Sequence, residues 1–486
     1  MSNSTVTTRF APSPTGYMHI GNLRTALYAY LIARNGEGKF ILRIEDTDRE
    51  RFVEGAEEVI LSTLKTTGLR YDEGPDIGGE NGPYVQSLRK DIYKKYAEML
   101  IESGDAYYCF CTKERLEALH EDSAVGAGYD RHCRNLSKEE IARNLEAGIP
   151  YVIRQKMPLE GKTSYVDAVF GEIATDNAEL QDQILLKADG YPTYNFAHVV
   201  DDYLMGVTHV VRGSEYLTST PKYALLYDAF GWERPTYVHL PLLMGKSEDG
   251  TVSKLSKRHG AVSFQDLVAQ GYLPEAIVNY IALLGWCPSG ATNEFYTLSE
   301  LEAAFTIDGI SKSPSVFDYD KLLWFNGEYI RQLPFERFAE LVRPYIKTAL
   351  PEAIDEAAML TLLHPRISYL GEIEGKIAFF RALPDYDIDL FVNKKNKVTL
   401  DSAVTVLEKA LPALEACDTF ANDALYETLL AVAEELGCKS GAVMWCVRIA
   451  VAGMAVTPGG ATEIMAVLGK DESIARIKIA LNKLRA

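Results

Sequence analysis

The sequence predicts an α/β protein whose parallel sheet is interrupted by an insertion and followed by an all-helical region. Three observations support this. Strand-like and helix-like segments alternate over the first 70 residues, which is the order that builds a parallel sheet. Short strands and polar loops then run from residue 105 to 189 before the alternation returns. From Phe335 onward nearly every segment has the apolar spacing of an amphipathic helix.

The amino-terminal elements follow from local patterns. Short runs rich in β-branched and aromatic residues predict strands, and longer amphipathic runs that end at glycine predict helices. The predicted strands are 5–11 and 39–46, and the predicted helices are 23–35 before Gly36, 51–67 before Gly68, and 87–104. Residues 184–216 return to strand and helix and predict the second half of the sheet. Representative helices of the last third are 403–416, 423–436 and 464–468.

Bulk composition limits the class of protein. The 486 residues are too many for one core, which favours two to four domains. The net charge of −18 argues against non-specific coating of nucleic acid. No apolar run approaches the length of a membrane span, and the amino terminus lacks a secretory pattern, so a cytoplasmic protein with no membrane partner is expected. Seven scattered cysteines do not form a disulfide framework.

The opening stretch RFAPSPTGYMHIGN places a tight loop between the first strand and the first helix. Free N–H groups and the positive dipole end make a helix N-terminus a ready anion site. Gly16 and Gly21 allow the backbone to approach a ligand closely, while His19 and Asn22 can donate hydrogen bonds to phosphate oxygens. The stretch therefore indicates a nucleotide site, although a capped helix with a chance His-Ile-Gly is the alternative.

A second basic segment, SKLSKRHG at 253–260, lies far downstream. It is either a solvated charge run or a loop that closes over a triphosphate during nucleotidyl transfer. The presence of both segments in one chain favours the nucleotide site over a chance helix cap and a solvated charge run.

HIGN and KLSKR resemble the two signature motifs of class I aminoacyl-tRNA synthetases. RFAPSPTGYMHIGN, LRIEDTDRER, GYPTYNFAHVVDD, VVRGSEYLTSTPKY, FDYDKLLWFNGEYIR and PGGATEIMAVLGK resemble bacterial glutamyl-tRNA synthetases more narrowly, over essentially the whole chain. The resemblance implies a Rossmann-type catalytic domain with an inserted α+β subdomain, followed by an all-α C-terminal anticodon-binding region. The implied parts are the catalytic halves 1–105 and 190–245, an acceptor-binding insertion 106–189, a KLSKR and stem-contact region 246–334, and an anticodon-binding domain 335–486.

The resemblance also implies an activity. With ATP and Mg²⁺, glutamate is activated to glutamyl-adenylate and transferred to the terminal adenosine of tRNA(Glu), by a monomeric enzyme. Three alternatives remain: a glutamyl-queuosine-type transferase, a non-catalytic tRNA-binding paralogue, and a small nucleotidyltransferase. The helical tail argues against the first and third. The intact Arg9, His19 and Lys257 argue against the second.

By resemblance, His19 and Lys257 are the catalytic groups that stabilise the phosphates. The full implied ATP site is His19, Gly21, Asn22, Glu215, Tyr216, Lys254, Ser256 and Lys257. The implied glutamate site is Arg9, Ser13, Glu45, Tyr194, His198 and Arg212, in which arginines pair with the γ-carboxylate and Glu45 receives the ammonium group. A surface ion pair is the alternative for Arg9 and Glu45, and a packed core histidine is the alternative for His198.

Two further sites are implied. Cys109, Cys111 and Cys133, with Tyr129, match a zinc knuckle in which His132 is a possible substitute ligand. A relic knuckle held by hydrogen bonds without metal is the alternative. Arg366 falls where the family reads the third anticodon base.

Overall fold

The computed structural model describes residues 5–48, 53–121, 128–247, 249–256, 259–260, 263–288, 290 and 293–486. The chain forms two compact units. One comprises Met1–Leu267 with Ile277–Asp318, and the other comprises Val268–Ala276 with Tyr319–Ala486.

The first unit begins with the predicted alternation. Its opening elements are β1 (Thr7–Phe10), α1 (Ile20–Asn35), β2 (Lys39–Leu42), α2 (Ala56–Thr67) and α3 (Lys90–Ser103). β1 and β2 pair in parallel, with Thr7 opposite Lys39. α1 begins three residues earlier than the apolar pattern predicts because the side chain of His19 caps it, accepting from the backbone N–H of Gly21. α2 ends at Gly68, whose φ of 77° is the left-handed conformation that favours glycine.

The predicted insertion contributes small antiparallel structures. Its elements are β3 (Ala106–Cys109), α4 (Lys113–Glu121), α5 (Lys138–Glu146), β4 (Val152–Gln155), β5 (Lys162–Asp167), β6 (Gly171–Asp176) and β7 (Ile184–Leu186). β3, β4 and β7 form one three-stranded antiparallel sheet. β5 and β6 form a hairpin that alternates buried and exposed side chains along β5, as a half-buried strand does.

The second half of the interrupted sheet follows. Its elements are α6 (Tyr194–Leu204), β8 (His209–Gly213), α7 (Thr220–Phe230) and β9 (Thr236–Leu240). β8 pairs in parallel with β9, and β9 pairs in parallel with β5 through Asp167 and Tyr237. The backbone N–H of Thr208 donates to the carbonyl of Thr7 at 2.9 Å, which joins β1 to the start of β8. Strands from both halves and from the insertion therefore lie side by side.

The chain then reaches the segment that carries the second basic motif. Its elements are β10 (Leu243–Lys246), β11 (Val252–Lys254), α8 (Phe264–Gln270), α9 (Pro274–Ala282), α10 (Leu298–Ala304) and β12 (Ser315–Phe317). β10 pairs antiparallel with β11 and parallel with β12. Lys254 therefore stands at the end of an ordered strand, directly before the rest of the motif.

Almost all of the second unit is helical around its own apolar core. The helices are α11 (Tyr319–Gln332), α12 (Phe335–Val342), α13 (Glu356–Leu363), α14 (Ile373–Arg381), α15 (Leu400–Glu415), α16 (Asn422–Glu435), α17 (Ser440–Ala452), α18 (Ala461–Leu468) and α19 (Lys470–Arg485). Side chains such as Leu407, Leu429 and Val447 are fully buried between them. The predicted α/β fold with an all-helical carboxyl-terminal region is confirmed, whereas the five-part division of the chain stays a prediction. Among the described residues, no helix combines the length and apolar character that a membrane crossing requires.

Candidate active site

A cleft of about 460 Å³ opens in the first unit, at the carboxyl ends of β1 and β8. This is the edge of an open parallel sheet at which ligands characteristically bind. Eleven predicted residues line the cleft: Arg9, Ser13, His19, Gly21, Asn22, Glu45, Tyr194, Arg212, Glu215, Tyr216 and Lys254. The fold therefore brings most of both predicted sites into one cavity.

His19 is set to donate into this cleft. Its Nδ1 accepts from the backbone N–H of Gly21 at 3.0 Å, so a neutral ring carries its proton on Nε2. Burial, with a smaller contribution from the Lys254 charge, lowers the pKa of His19 and favours that neutral form. A Cβ at position 21 would lie 3.3 Å from Nδ1, so glycine there permits the cap.

The opposite lip of the cleft carries Glu215 and Tyr216. The ammonium group of Lys254 lies 3.6 Å from the Glu215 carboxylate, and both side chains are solvent-accessible. The Tyr216 ring lies beside that of Tyr194, with ring centroids 5.5 Å apart and the ring planes tilted by 35°. Ser256 does not line the cleft, and its backbone N–H donates to the His259 ring. Lys257 lies outside the described residues.

Arg9 is held from behind by a carboxylate. Its Nε donates to Asp202 Oδ1 at 2.9 Å and its Nη1 donates to the Val211 carbonyl at 3.1 Å, and only 4% of the residue is exposed. Within the described residues its Nη2 has no hydrogen-bond partner. Arg43 donates to the same Asp202 oxygen at 2.8 Å. Although burial by itself raises the pKa of Asp202, these two guanidinium groups hold it below its usual range.

Glu45 lies on the same wall, bound to Arg43. Arg43 Nη2 donates to Glu45 Oε1 at 3.0 Å, and Gln86 Nε2 reaches the same oxygen at 3.4 Å. Burial raises the pKa of Glu45 to about 7, although Arg43 and Arg9 act in the opposite direction. Glu45 is therefore a buried carboxylate in the cleft and not part of a surface ion pair.

Arg212 has a polar partner on each of its three nitrogens. Nε donates to His239 Nε2 at 3.1 Å, Nη1 to His198 Nε2 at 3.1 Å and Nη2 to Thr220 Oγ1 at 2.7 Å. His198 is buried behind Arg212 and is not among the residues that line the cleft. The structure thus places His198 in contact with a predicted glutamate-binding residue, and its direct contact with glutamate stays a prediction.

Sequence reasoning missed several charged residues of this wall. Arg24 lines the cleft and donates from Nη1 to the Leu284 carbonyl at 2.8 Å and from Nη2 to that of Pro241. Arg43 and Asp202 lie within the quoted motifs LRIEDTDRER and GYPTYNFAHVVDD, so charge inside apolar segments was the available signal. Nothing local to His239 or Asp167 indicated that His239 contacts Arg212 and that Asp167 contacts His239.

The predicted metal ligands come together in the insertion. The sulfur atoms of Cys109, Cys111 and Cys133 lie within 4.8 Å of one another, and no described histidine or carboxylate joins them at that distance. The Tyr129 hydroxyl lies 3.3 Å from Cys109 Sγ and 3.7 Å from Cys111 Sγ. Hydrogen bonding to Cys133 lowers the pKa of Cys109, despite its burial. His132 therefore does not complete this group in the structure.

Arg366 belongs to the second unit and is distant in sequence from the residues that line the cleft. Its Nη2 donates to Glu463 Oε1 at 2.7 Å and its Nη1 donates to the Leu362 carbonyl at 2.7 Å. About a third of the side chain remains exposed.

Comparison with known proteins gives consistent matches over the whole chain. Residues 5–324 match the family model described as tRNA synthetases class I (E and Q), catalytic domain, and residues 337–481 match an anticodon binding domain. Glutamate–tRNA ligase of Clostridium tetani is 55% identical over 488 residues, covering 100% of this chain and 99% of that protein. The enzyme of Clostridium botulinum strain Loch Maree is 56% identical, covering 99% of each. A crystal structure of a glutamate tRNA ligase from Elizabethkingia meningosepticum superposes with a TM-score of 0.88 at 34% identity, covering 99% of this chain and 100% of that one.

Proposed function

We propose which residues of this chain bind each substrate of its reaction. The chain belongs to the glutamate–tRNA ligases of the class I aminoacyl-tRNA synthetases. The chain joins glutamate to tRNA, with ATP as a substrate and Mg²⁺ as the expected ion. Its amino acid and its nucleotide occupy adjacent parts of the one cleft, and its helical second unit reads the tRNA.

The nucleotide occupies the end of the cleft formed by the N-terminus of α1. His19 donates from Nε2 to a phosphate oxygen, and the backbone at Gly21 and Asn22 adds the positive end of the helix. Lys254 and Lys257 supply charge to the transition state, Ser256 a hydroxyl, and Glu215 and Tyr216 border the adenosine. Attack of the glutamate carboxylate on the α-phosphate needs alignment and charge, and no covalent enzyme intermediate.

Glutamate occupies the end of the cleft that is lined by the buried side chains of Arg9, Glu45 and Arg212. The free Nη2 of Arg9 and the cation of Arg212 pair with the γ-carboxylate, while Glu45 accepts the substrate ammonium group. Ser13 and Tyr194 border the same space, and His198 acts there through its contact with Arg212. Arg9 and Arg212 offer cations to the γ-carboxylate and Glu45 offers an anion to the ammonium group, and the meeting of these three in one cleft is the observation that carries the assignment.

The three thiols and Tyr129 hold one structural Zn²⁺. Tetrahedral zinc with Zn–S bonds of about 2.3 Å places sulfur ligands roughly 3.8 Å apart, close to the 3.6 Å between Cys111 and Cys133. Bound there, zinc cross-links β3 to the segment that carries Cys133 and fixes the insertion.

Arg366 contacts the anticodon from the second unit. Its side chain is partly exposed and is paired with Glu463, so it presents a cation at the surface of the second unit. We expect the enzyme to act as a monomer and in the cytoplasm, where ATP and tRNA are available.

Charging of purified glutamate and glutamine tRNAs with labelled glutamate tests the assignment. Efficient charging of tRNA(Glu) is expected, and failure to charge either tRNA contradicts the proposal. In the same assay Arg366→Gln should raise the KM for tRNA. Arg337→Gln, which removes a more exposed, carboxylate-paired charge from α12 of the same unit, is the control.

A further inference from the structure

The guanidinium of Arg212 is oriented by its neighbours and not by an opposing carboxylate. Its nitrogens donate to His239, His198 and Thr220, as given above. The Thr220 hydroxyl donates its own proton to the Tyr216 carbonyl at 2.7 Å, so it can only accept from Arg212. Within the described residues, each of these three partners acts as a neutral acceptor, so no hydrogen-bonded carboxylate neutralises the charge of Arg212.

The protonation state of His239 is set by Asp167, a residue that does not line the cleft. The residue is 0% exposed on β9, and its Nδ1 lies 2.6 Å from Asp167 Oδ2. A carboxylate only accepts, so the His239 proton is on Nδ1 and its bare Nε2 accepts from Arg212. A second proton on Nε2 would face the Nε–H of Arg212, and burial lowers the pKa of His239 in agreement with the neutral ring.

Asp167 is itself fixed at the end of β5. Its Oδ1 accepts from the backbone N–H groups of Val169 and Phe170 at 3.0 and 2.8 Å, and its Oδ2 also accepts from the backbone of His239 at 3.2 Å. The carboxylate is fully buried. A continuous chain of hydrogen bonds therefore runs from the turn after β5, through His239, to Arg212 at the wall of the cleft.

We propose that Asp167 and His239 are positioning residues for glutamate, because together they fix the direction in which Arg212 presents its charge. Asp167 belongs to the hairpin of the insertion, so the insertion takes part in building the amino-acid pocket. This inference rests on the proposed role of Arg212 and extends it to two residues that touch no substrate.

The alternative is that the pair only stabilises the sheet in which β5 and β9 are neighbours. A purely structural pair affects stability and both substrates alike. A pair that acts through Arg212 affects glutamate alone, and its effect disappears once Arg212 is gone.

A double-mutant cycle separates the two. His239→Leu removes both the acceptor and the donor, and should raise the KM for glutamate about tenfold to a hundredfold, the usual range for a lost hydrogen bond to a charged group, with the KM for ATP unchanged. His239→Gln restores an amide oxygen toward Arg212 and an N–H toward Asp167, so it should recover most of the loss. In an Arg212→Gln background, His239→Leu should cause no further loss of kcat/KM for glutamate.

His209→Leu on β8 is the matched control, since the ring of that histidine pairs with Thr208 and not with Arg212, so the KM for glutamate should be unchanged. Asp167→Asn provides a second route. Its amide N–H₂ facing Nδ1 would force the ring proton to Nε2, against the Nε–H of Arg212, so the KM for glutamate should rise there as well.

Each result is decisive. Equal losses for glutamate and ATP, or losses that add to those of Arg212→Gln, would overturn the positioning role. If Arg212→Gln itself left glutamate kinetics unchanged, the proposed role of Arg212 would fail instead. If Arg212→Gln impaired glutamate use while His239→Leu did not, only the present inference would fail.

Discussion

Replacing Arg9 by Gln removes one cation from the buried wall that faces glutamate. Nη2 of Arg9 has no hydrogen-bond partner within the described residues, whereas Nε and Nη1 are held by Asp202 and Val211. We therefore expect the variant to lose a direct pairing with the γ-carboxylate, together with the charge that balances Asp202.

The structure indicates that the variant should lose activity with glutamate while keeping its fold. Asp202 keeps its bond from Arg43 at 2.8 Å, so the variant does not leave a wholly unpaired buried carboxylate, and folding should survive. Removing one partner of a buried charge pair costs about 2–5 kcal/mol. At 1.4 kcal/mol per factor of ten, kcat/KM for glutamate should fall roughly 30- to 4000-fold.

Steady-state aminoacylation with glutamate, glutamine and ATP varied in turn measures this effect. The KM for glutamate should rise steeply and kcat should fall, with the KM for ATP changed little. Discrimination against glutamine should shrink, because the amide no longer leaves a guanidinium unpaired. A modest loss, with glutamate still preferred by a wide margin, would show that pocket size sets the specificity and would refute the ion-pair account.

Three other predictions concern the remaining parts of the site. Lys257→Ala should slow glutamyl-adenylate formation at least about a hundredfold with tRNA binding nearly intact, and near-normal tRNA-dependent pyrophosphate exchange would contradict this role. Because burial raises the pKa of Glu45 to about 7, its carboxylate is increasingly protonated as pH falls through 7, so the KM for glutamate should rise between pH 8 and 6. Glu45→Gln should have a higher KM that no longer depends on pH in that range, and an unchanged pH dependence would exclude Glu45 as its source. Metal analysis of protein prepared without chelators should find about one zinc per chain, lost with Cys111→Ser, and far less than one in the native protein would leave the metal-free knuckle.

The sequence by itself determined the features that depend on residues close together along the chain. The end of α1 before Gly36, the end of α2 at Gly68 and the helical character of the last third follow from local spacing and turn chemistry. The motifs HIGN and KLSKR likewise carried the resemblance to the synthetases in a few consecutive residues. Local patterns succeed here because capping and amphipathic periodicity act over one or two helical turns.

Only the tertiary structure decided which charges meet. Arg9 and Asp202 are 193 positions apart, and Asp167 and His239 are 72 apart, yet each pair is in direct contact in the core. Their spacing in the sequence carries no signal. The pairing of β5 with β9 brings Asp167 to His239, and the contact of β1 with α6 brings Arg9 to Asp202. These contacts and the burial around them have separate consequences. Burial raises the pKa of Glu45, the Asp167 carboxylate fixes the proton of His239 on Nδ1, and the contacts of Arg9 with Asp202 and Val211 leave its Nη2 for the substrate.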